Sequence, residues 1–156
     1  MDKLKLFVPT QEKLDKIVDW LMNGYLVSSD EFRNLDHIWK STIPGHFYNG
    51  NSLFYELPEY GGVFGFRDII PRFKAHVVFK IWSPEVWTHG LVKESKDLIS
   101  KVMEIYELKR LSSQTADERI VRIGEMVGFK VEGILKNAYM WNGNLFDLKL
   151  IGITGG

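Results

Sequence analysis

The chain contains no cysteine. A disulfide framework, a thiolate-ligated zinc or iron–sulfur site and thiol catalysis are therefore excluded, and a reducing compartment fits. An excess of one charge is also missing: twenty basic residues balance twenty acidic ones, for a formal net charge of zero. With no broad pull toward nucleic acid or an anionic membrane, nucleic-acid binding is not expected and any anion site has to be local. No apolar run approaches the ~18 residues of a membrane span. The opening MDKLKLFVPT is too short and too charged for a signal peptide, so a cytoplasmic location is the expectation. The four histidines show no paired spacing, which leaves no metal constellation. Repeats, low-complexity tracts and linker-like stretches are absent too, and a single domain over residues 1–156 is expected.

Aromatic residues are plentiful at 13%, with five tryptophans, enough to fill a core or to wall a cleft. Lys3 to Val8 alternates as an opening strand. Thr10 is placed to cap a helix carrying Leu14, Ile17, Val18, Leu21 and Met22 at helical spacing, ending near Asn23-Gly24. A second helix is expected after Ser28-Ser29-Asp30, with Phe32, Leu35, Ile38 and Trp39 on one face. Three strands follow, Ser52 to Leu57, Val63 to Ile70 and Ala75 to Trp82, divided by turn chemistry at Pro58 to Gly62 and at Pro71-Arg72. Leu91, Ser95, Leu98, Val102 and Tyr106 mark a helix, Lys109 to Ser113 a strand, and Asp117 the cap of a helix that ends at Gly128. Phe129 to Tyr139 and Leu145 to Ile151 make a final strand pair joined through Asn142-Gly143, a hairpin signal. A meander followed by a strand–helix–strand crossover implies a mixed sheet flanked by helices.

Between the third strand of that meander and the next helix the chain reads SPEVWTHGLVKES, Ser83 to Ser95. A glycine stands where the helix begins. Unpaired backbone N–H groups and the helix dipole suit such a place to an anion such as phosphate, although an ordinary strand-to-helix turn has the same pattern.

The order of elements, and the loop where it falls, resemble the GNAT superfamily of N-acetyltransferases, above all the subgroup that acts on ribosomal-protein N-termini. The coenzyme A loop of that subgroup typically reads S-P-E-x-W-G-x-G-x-A-x-E-A, and Ser83, Pro84, Glu85, Trp87, Gly90 and Glu94 stand at matching places. In the stretch DERIVRIGEMVGFKVEGILKNAYMWNGNLFDLKLIGIT, Glu125, Gly128, Phe129, Glu132, Gly133, Asn142, Gly143 and Asp147 match the second signature. Residues 52 to 154 carry the resemblance; the first fifty share only helix order. Thr88 stands where a glycine is usual, Val92 where a small residue is usual and Asp117 where asparagine is usual. Ile120 and Gly124 replace the serine and tyrosine whose hydroxyls are the usual candidates for protonating the departing thiolate.

The resemblance implies an α/β fold with about seven strands and four helices, and acetyl-coenzyme A as cosubstrate for N-acetylation of an amine by direct attack on the thioester. It implies a cofactor site at Ile81, Trp82, Ser83, Trp87, Thr88, His89, Gly90, Leu91, Val92 and Asp117, with a backbone donor to the thioester in the region Lys80 to Ser83. His76 is the candidate base, on one strand face with Lys80 and Trp82. Tyr55, Glu56, Tyr60, Arg67 and Asp68 are expected to flank the acceptor, as an acidic, aromatic mouth suited to a cationic amine. The alternative is a catalytically inactive protein of the same fold that binds or assembles, since small phage-encoded relatives share this length and loop and some serve in virion assembly. A protein partner is open under either reading.

Overall fold

The structure is a computed structural model that describes residues 3–26, 29–30 and 51–155. Seven strands form one sheet in the order β1-β2-β3-β4-β5-β7-β6. They are β1 (Lys5–Leu6), β2 (Leu53–Glu56), β3 (Gly62–Ile70), β4 (Lys74–Ile81), β5 (Arg110–Thr115), β6 (Lys130–Trp141) and β7 (Asn144–Thr154). Every neighbouring pair is antiparallel except β4 and β5, which run parallel. Three α-helices lie among the described residues: α1 (Gln11–Asn23), α2 (His89–Ile105) and α3 (Glu118–Met126). The fourth expected helix, Phe32 to Trp39, lies outside the described residues.

Capping follows the expected chemistry. The Thr10 side chain accepts from Lys13 N–H, and Asp117 accepts from Arg119 N–H. Asn142 and Gly143 both take positive φ (50° and 77°), the geometry a two-residue hairpin needs.

The alternation along β4 sorts the molecule into two faces. Ala75, Val77, Phe79 and Ile81 pack with Leu91, Ile99 and Val102 of α2 and with Ile120 and Ile123 of α3, forming the main core around Phe64, Phe66, Leu111 and Ile151. On the opposite face Val78 and Trp82 join Phe54, Val63 and Phe7 beneath Ile17, Val18 and Leu21 of α1. The chain after α1 then crosses toward the far arm of the sheet. Tyr25 packs edge-on to Trp141, Tyr139 donates to Leu26 O, and the Asp30 carboxylate accepts from Asn142 and Gly143 N–H at 2.8 and 2.9 Å.

Candidate active site

β4 and β5 are joined only by the pairs Lys74–Arg110, Ala75–Leu111 and His76–Ser112. Beyond His76 the two strands part. Where they separate, the buried Ser113 hydroxyl donates to Val77 O at 2.9 Å, so the Val77 carbonyl points toward the gap. Backbone direction alternates along a strand, and Phe79 and Ile81 therefore turn their N–H and C=O groups the same way. Among the described residues no strand lies opposite them. The wedge is thus lined by backbone donors that the sheet leaves unpaired, in a place where most backbone groups find partners.

Of the expected region Lys80 to Ser83, Ile81 N–H faces the gap, and Phe79 N–H joins it from one step outside. Trp82 and Ser83 N–H, from the expected region Lys80 to Ser83, are both taken by Gly61 O, at 3.0 and 2.9 Å. β4 keeps unbroken register with β3 from Ile81 to His76, and the register shift lies instead between Arg67 and Ile70, where Asp68 takes φ 53°.

On the α1 face the wedge opens into a cleft of about 650 Å3 lined by Arg67, His76, Lys80, Ile81, Trp82, Asp117, Arg119 and Tyr139, with α1 residues Trp20 and Leu21 along one wall. Its volume is that of a small-molecule site. Arg67 is directly opposite His76 on β3, and Lys80 is four residues further along the same face of β4. Burial first, then the positive charges of Arg67 and Lys80, lower the His76 pKa from 6.5 to about 4, which leaves a neutral imidazole at pH 7. Burial and the Arg67 guanidinium lower Lys80, which lines the cleft, from 10.5 to about 8. The Asp117 carboxylate caps α3 and is paired with Arg119 at 2.7 Å.

The expected mouth does not assemble. Tyr55 lies on the other face of the sheet, packed against the main core beside Tyr106. Glu56 is bound to Lys13 at 2.7 Å, and Asp68 is exposed beside Arg67 at 3.5 Å. Tyr60 is tied into the wall: its hydroxyl donates to Lys13 O, Trp82 Nε1 donates to its carbonyl, and its ring stacks with Phe7. Its φ of 50° is unusual for so large a side chain and is fixed by those contacts. Of the expected acceptor residues only Arg67 lines the cleft.

The expected cofactor loop lies apart from the cleft. α2 begins at His89 with Thr88 as its cap, so Gly90 sits inside the first turn rather than ahead of it. The Thr88 hydroxyl accepts from Leu91 N–H, which leaves His89 and Gly90 N–H to answer an anion. A side chain at position 90 would meet the Lys3 aliphatic chain, with Cε 2.9 Å away. The Glu94 carboxylate accepts from Lys3 and Leu4 N–H at 2.8 and 2.9 Å and so braces the first strand against α2. Trp87 packs edge-on to Phe79 with its indole N–H buried and without a partner. Ser83, Trp87, Thr88, His89, Gly90, Leu91 and Val92 do not line the large cleft, whereas Ile81, Trp82 and Asp117 do.

No family model and no curated protein matches the chain. Solved structures do. One is the acetyltransferase that modifies the N-terminal serine of ribosomal protein L7/L12 from Salmonella typhimurium, at TM-score 0.71 and 15% identity over 100% of this chain and 97% of that one. The fold is that of the GNAT N-acetyltransferases. A second GNAT structure is spermidine N-acetyltransferase from Vibrio cholerae with coenzyme A and spermine (TM-score 0.61, 22% identity, 97% and 95% covered). A third is the microcin C7 self-immunity acetyltransferase with acetyl-coenzyme A and AMP (TM-score 0.69, 18% identity, 99% and 94% covered). The GNAT frame is shared across proteins with quite different acceptors, so the frame alone names none.

Proposed function

We propose that the chain is an acyl-coenzyme A-dependent N-acetyltransferase that acts on a small amine. The observation that carries this reading is the wedge, where Phe79 and Ile81 N–H face open space between β4 and β5. Acetyl-coenzyme A would supply the activated acyl group. Phe79 and Ile81 N–H would be donors to a carbonyl oxygen as it gains charge, a role that needs no side chain. His89 and Gly90 N–H at the start of α2 suit the pyrophosphate. His76, neutral and facing the cleft, accepts a hydrogen bond from the amine that attacks. The new N–C bond forms as the C–S bond breaks, and the proton lost by the amine leaves with the thiol. No covalent intermediate with the protein is required.

Calorimetric titration with acetyl-coenzyme A tests this, with Gly90→Trp as the control. A Cβ at this place meets only the flexible end of Lys3, and a thermal melt of the variant checks that it folds. Micromolar binding that the substitution abolishes is expected. Absence of heat and of a thermal shift at millimolar acetyl-coenzyme A would overturn the reading and leave the binding or assembly role of the same fold.

A further inference from the structure

The floor of the cleft carries positive charge that the described residues leave largely unanswered. Seven titratable side chains line it among the described residues: Arg67, His76, Lys80, Asp117, Arg119 and the tyrosines Tyr25 and Tyr139. Asp117, the single acid, is spent on the cap of α3 and on Arg119. The Lys80 side chain has no hydrogen bond or ion pair with any described residue, and the Arg67 side chain reaches only the exposed Asp68 beside it.

Among the described residues no further acid lines the cleft: Asp68 acts on His76 from outside it, Glu132 of β6 holds Arg110, and Asp30 accepts from the hairpin turn. On α1, Asp15 accepts from Gln11, Asp19 accepts from Asn23, and neither lines the cleft. Lys16 adds a further cation over the Tyr60 and Trp82 rings. On β2, Glu56 belongs to Lys13; on β7, Asp147 belongs to Lys136, and Lys149 is bound to Glu118 of α3.

A lysine enclosed in this way has lost part of its hydration and has gained a guanidinium as a neighbour in place of a carboxylate. A polyamine entering the cleft would bring more of the same charge into a site of reduced dielectric. An oxyanion would do the opposite. It would complete the ion pair Lys80 lacks and offer Arg67 an acceptor of matching geometry.

We propose that the acceptor is a small amine that also bears an oxyanion, a carboxylate or a phosphate, received by Lys80 and Arg67. The proposal rests on the acetyltransferase reading of the cleft and names its substrate class. It also gives His76 a second state. An oxyanion beside Lys80 and Arg67 offsets two of the charges that hold the imidazole neutral, so its pKa rises on binding and the ring becomes a stronger base for the incoming ammonium.

The test is direct binding without coenzyme A. Glutamate and 2-aminoethyl phosphate are titrated beside ethanolamine and spermidine at millimolar concentration, and the His76 ring resonance is followed by NMR. Binding by one or both acidic amines is expected, with an upward shift of the His76 pKa, and the stronger of the two identifies the oxyanion. Lys80→Met should weaken the acidic amine about tenfold or more, the loss of one hydrogen bond to a charged group. Arg67→Gln is the second variant and should weaken it in the same direction. Spermidine binding as well as the acidic amines, silence from both acidic amines, or an unchanged affinity in both variants would overturn the proposal. Failure of the acetyl-coenzyme A titration instead would remove the acetyltransferase reading while leaving an oxyanion site measurable in its own right.

Discussion

Ser95 stands apart within the main core because its hydroxyl is sealed from solvent and has no hydrogen-bond partner. A buried polar group left in this state costs about 1–3 kcal/mol. Ser95→Ala removes it and improves helix propensity in the middle of α2, so a rise in Tm of roughly 2–4 °C for each kcal/mol recovered is expected by calorimetry. His76 and Lys80 predict a pH dependence with a definite sign. Between pH 6.5 and about 4 the unfolded chain takes up the histidine proton and the folded chain does not, so stability falls on acidification through that window. Between about 8 and 10.5 the unfolded chain still holds the lysine proton that the folded chain has released, so Lys80 weakens the fold most below pH 8. Lys80→Met should therefore melt above the parent chain at pH 7, with the gap closing by about pH 10. At this scale the sequence showed His76, Lys80 and Trp82 on one strand face, because strict alternation needs no knowledge of the partner strand. Ser113, Phe79 and Arg119 were not legible. Which backbone groups face the wedge depends on how β4 pairs with β3, and which side chain answers Asp117 depends on the first turn of α3.

Among the elements, β3 shows most directly how a missing side chain shapes the site. Gly65 faces Val78, and a Cβ there would lie 2.3 Å from the Phe54 ring and 2.8 Å from Leu53 O. Gly65→Val would drive β2 off the sheet or push Phe54 into the cleft. A loss of at least ~1–3 kcal/mol is expected in a urea melt, together with weaker amine binding. Gly124 makes a similar point on α3, where an added Cβ would lie 2.8 Å from Ile151 Cδ1. A tyrosine at this position would need the core to move. Helix and strand placement was largely readable, since the caps at Thr10 and Asp117 and the turn at Asn142-Gly143 announce themselves through local chemistry. The start of α2 was not, because Thr88 can cap only once the chain after Ile81 has turned. The acidic mouth failed at the same scale: Tyr55 and Glu56 are adjacent on β2 and so point to opposite faces.

For the molecule as a whole, protection is divided unevenly between the two arms of the sheet. β3 and β4 are covered on both faces, whereas β6 is exposed along nearly its whole length, with Ile134, Leu135, Met140 and Leu145 of the hairpin open to solvent. Hydrogen exchange should open the hairpin amides around residues 134–146 well before those of β3 and β4, and equal protection of the two would contradict this division. The segment after α1 bridges both arms through Tyr25, Leu26 and Asp30, so a ligand in the cleft should slow exchange at the hairpin tip as well as at β4.

The parting of β4 from β5 also has a mechanical side. It is a crack that runs into an otherwise continuous sheet and stops at His76 and Ser112, with three residue pairs left intact beyond it. Load that pulls the two arms apart concentrates at the tip of a crack, and the bond from the Ser113 hydroxyl to Val77 O stands at that tip, as a rivet would. Each further pair that opened would cost backbone hydrogen bonds, so a guest that spreads the arms would be gripped by a sheet straining to close.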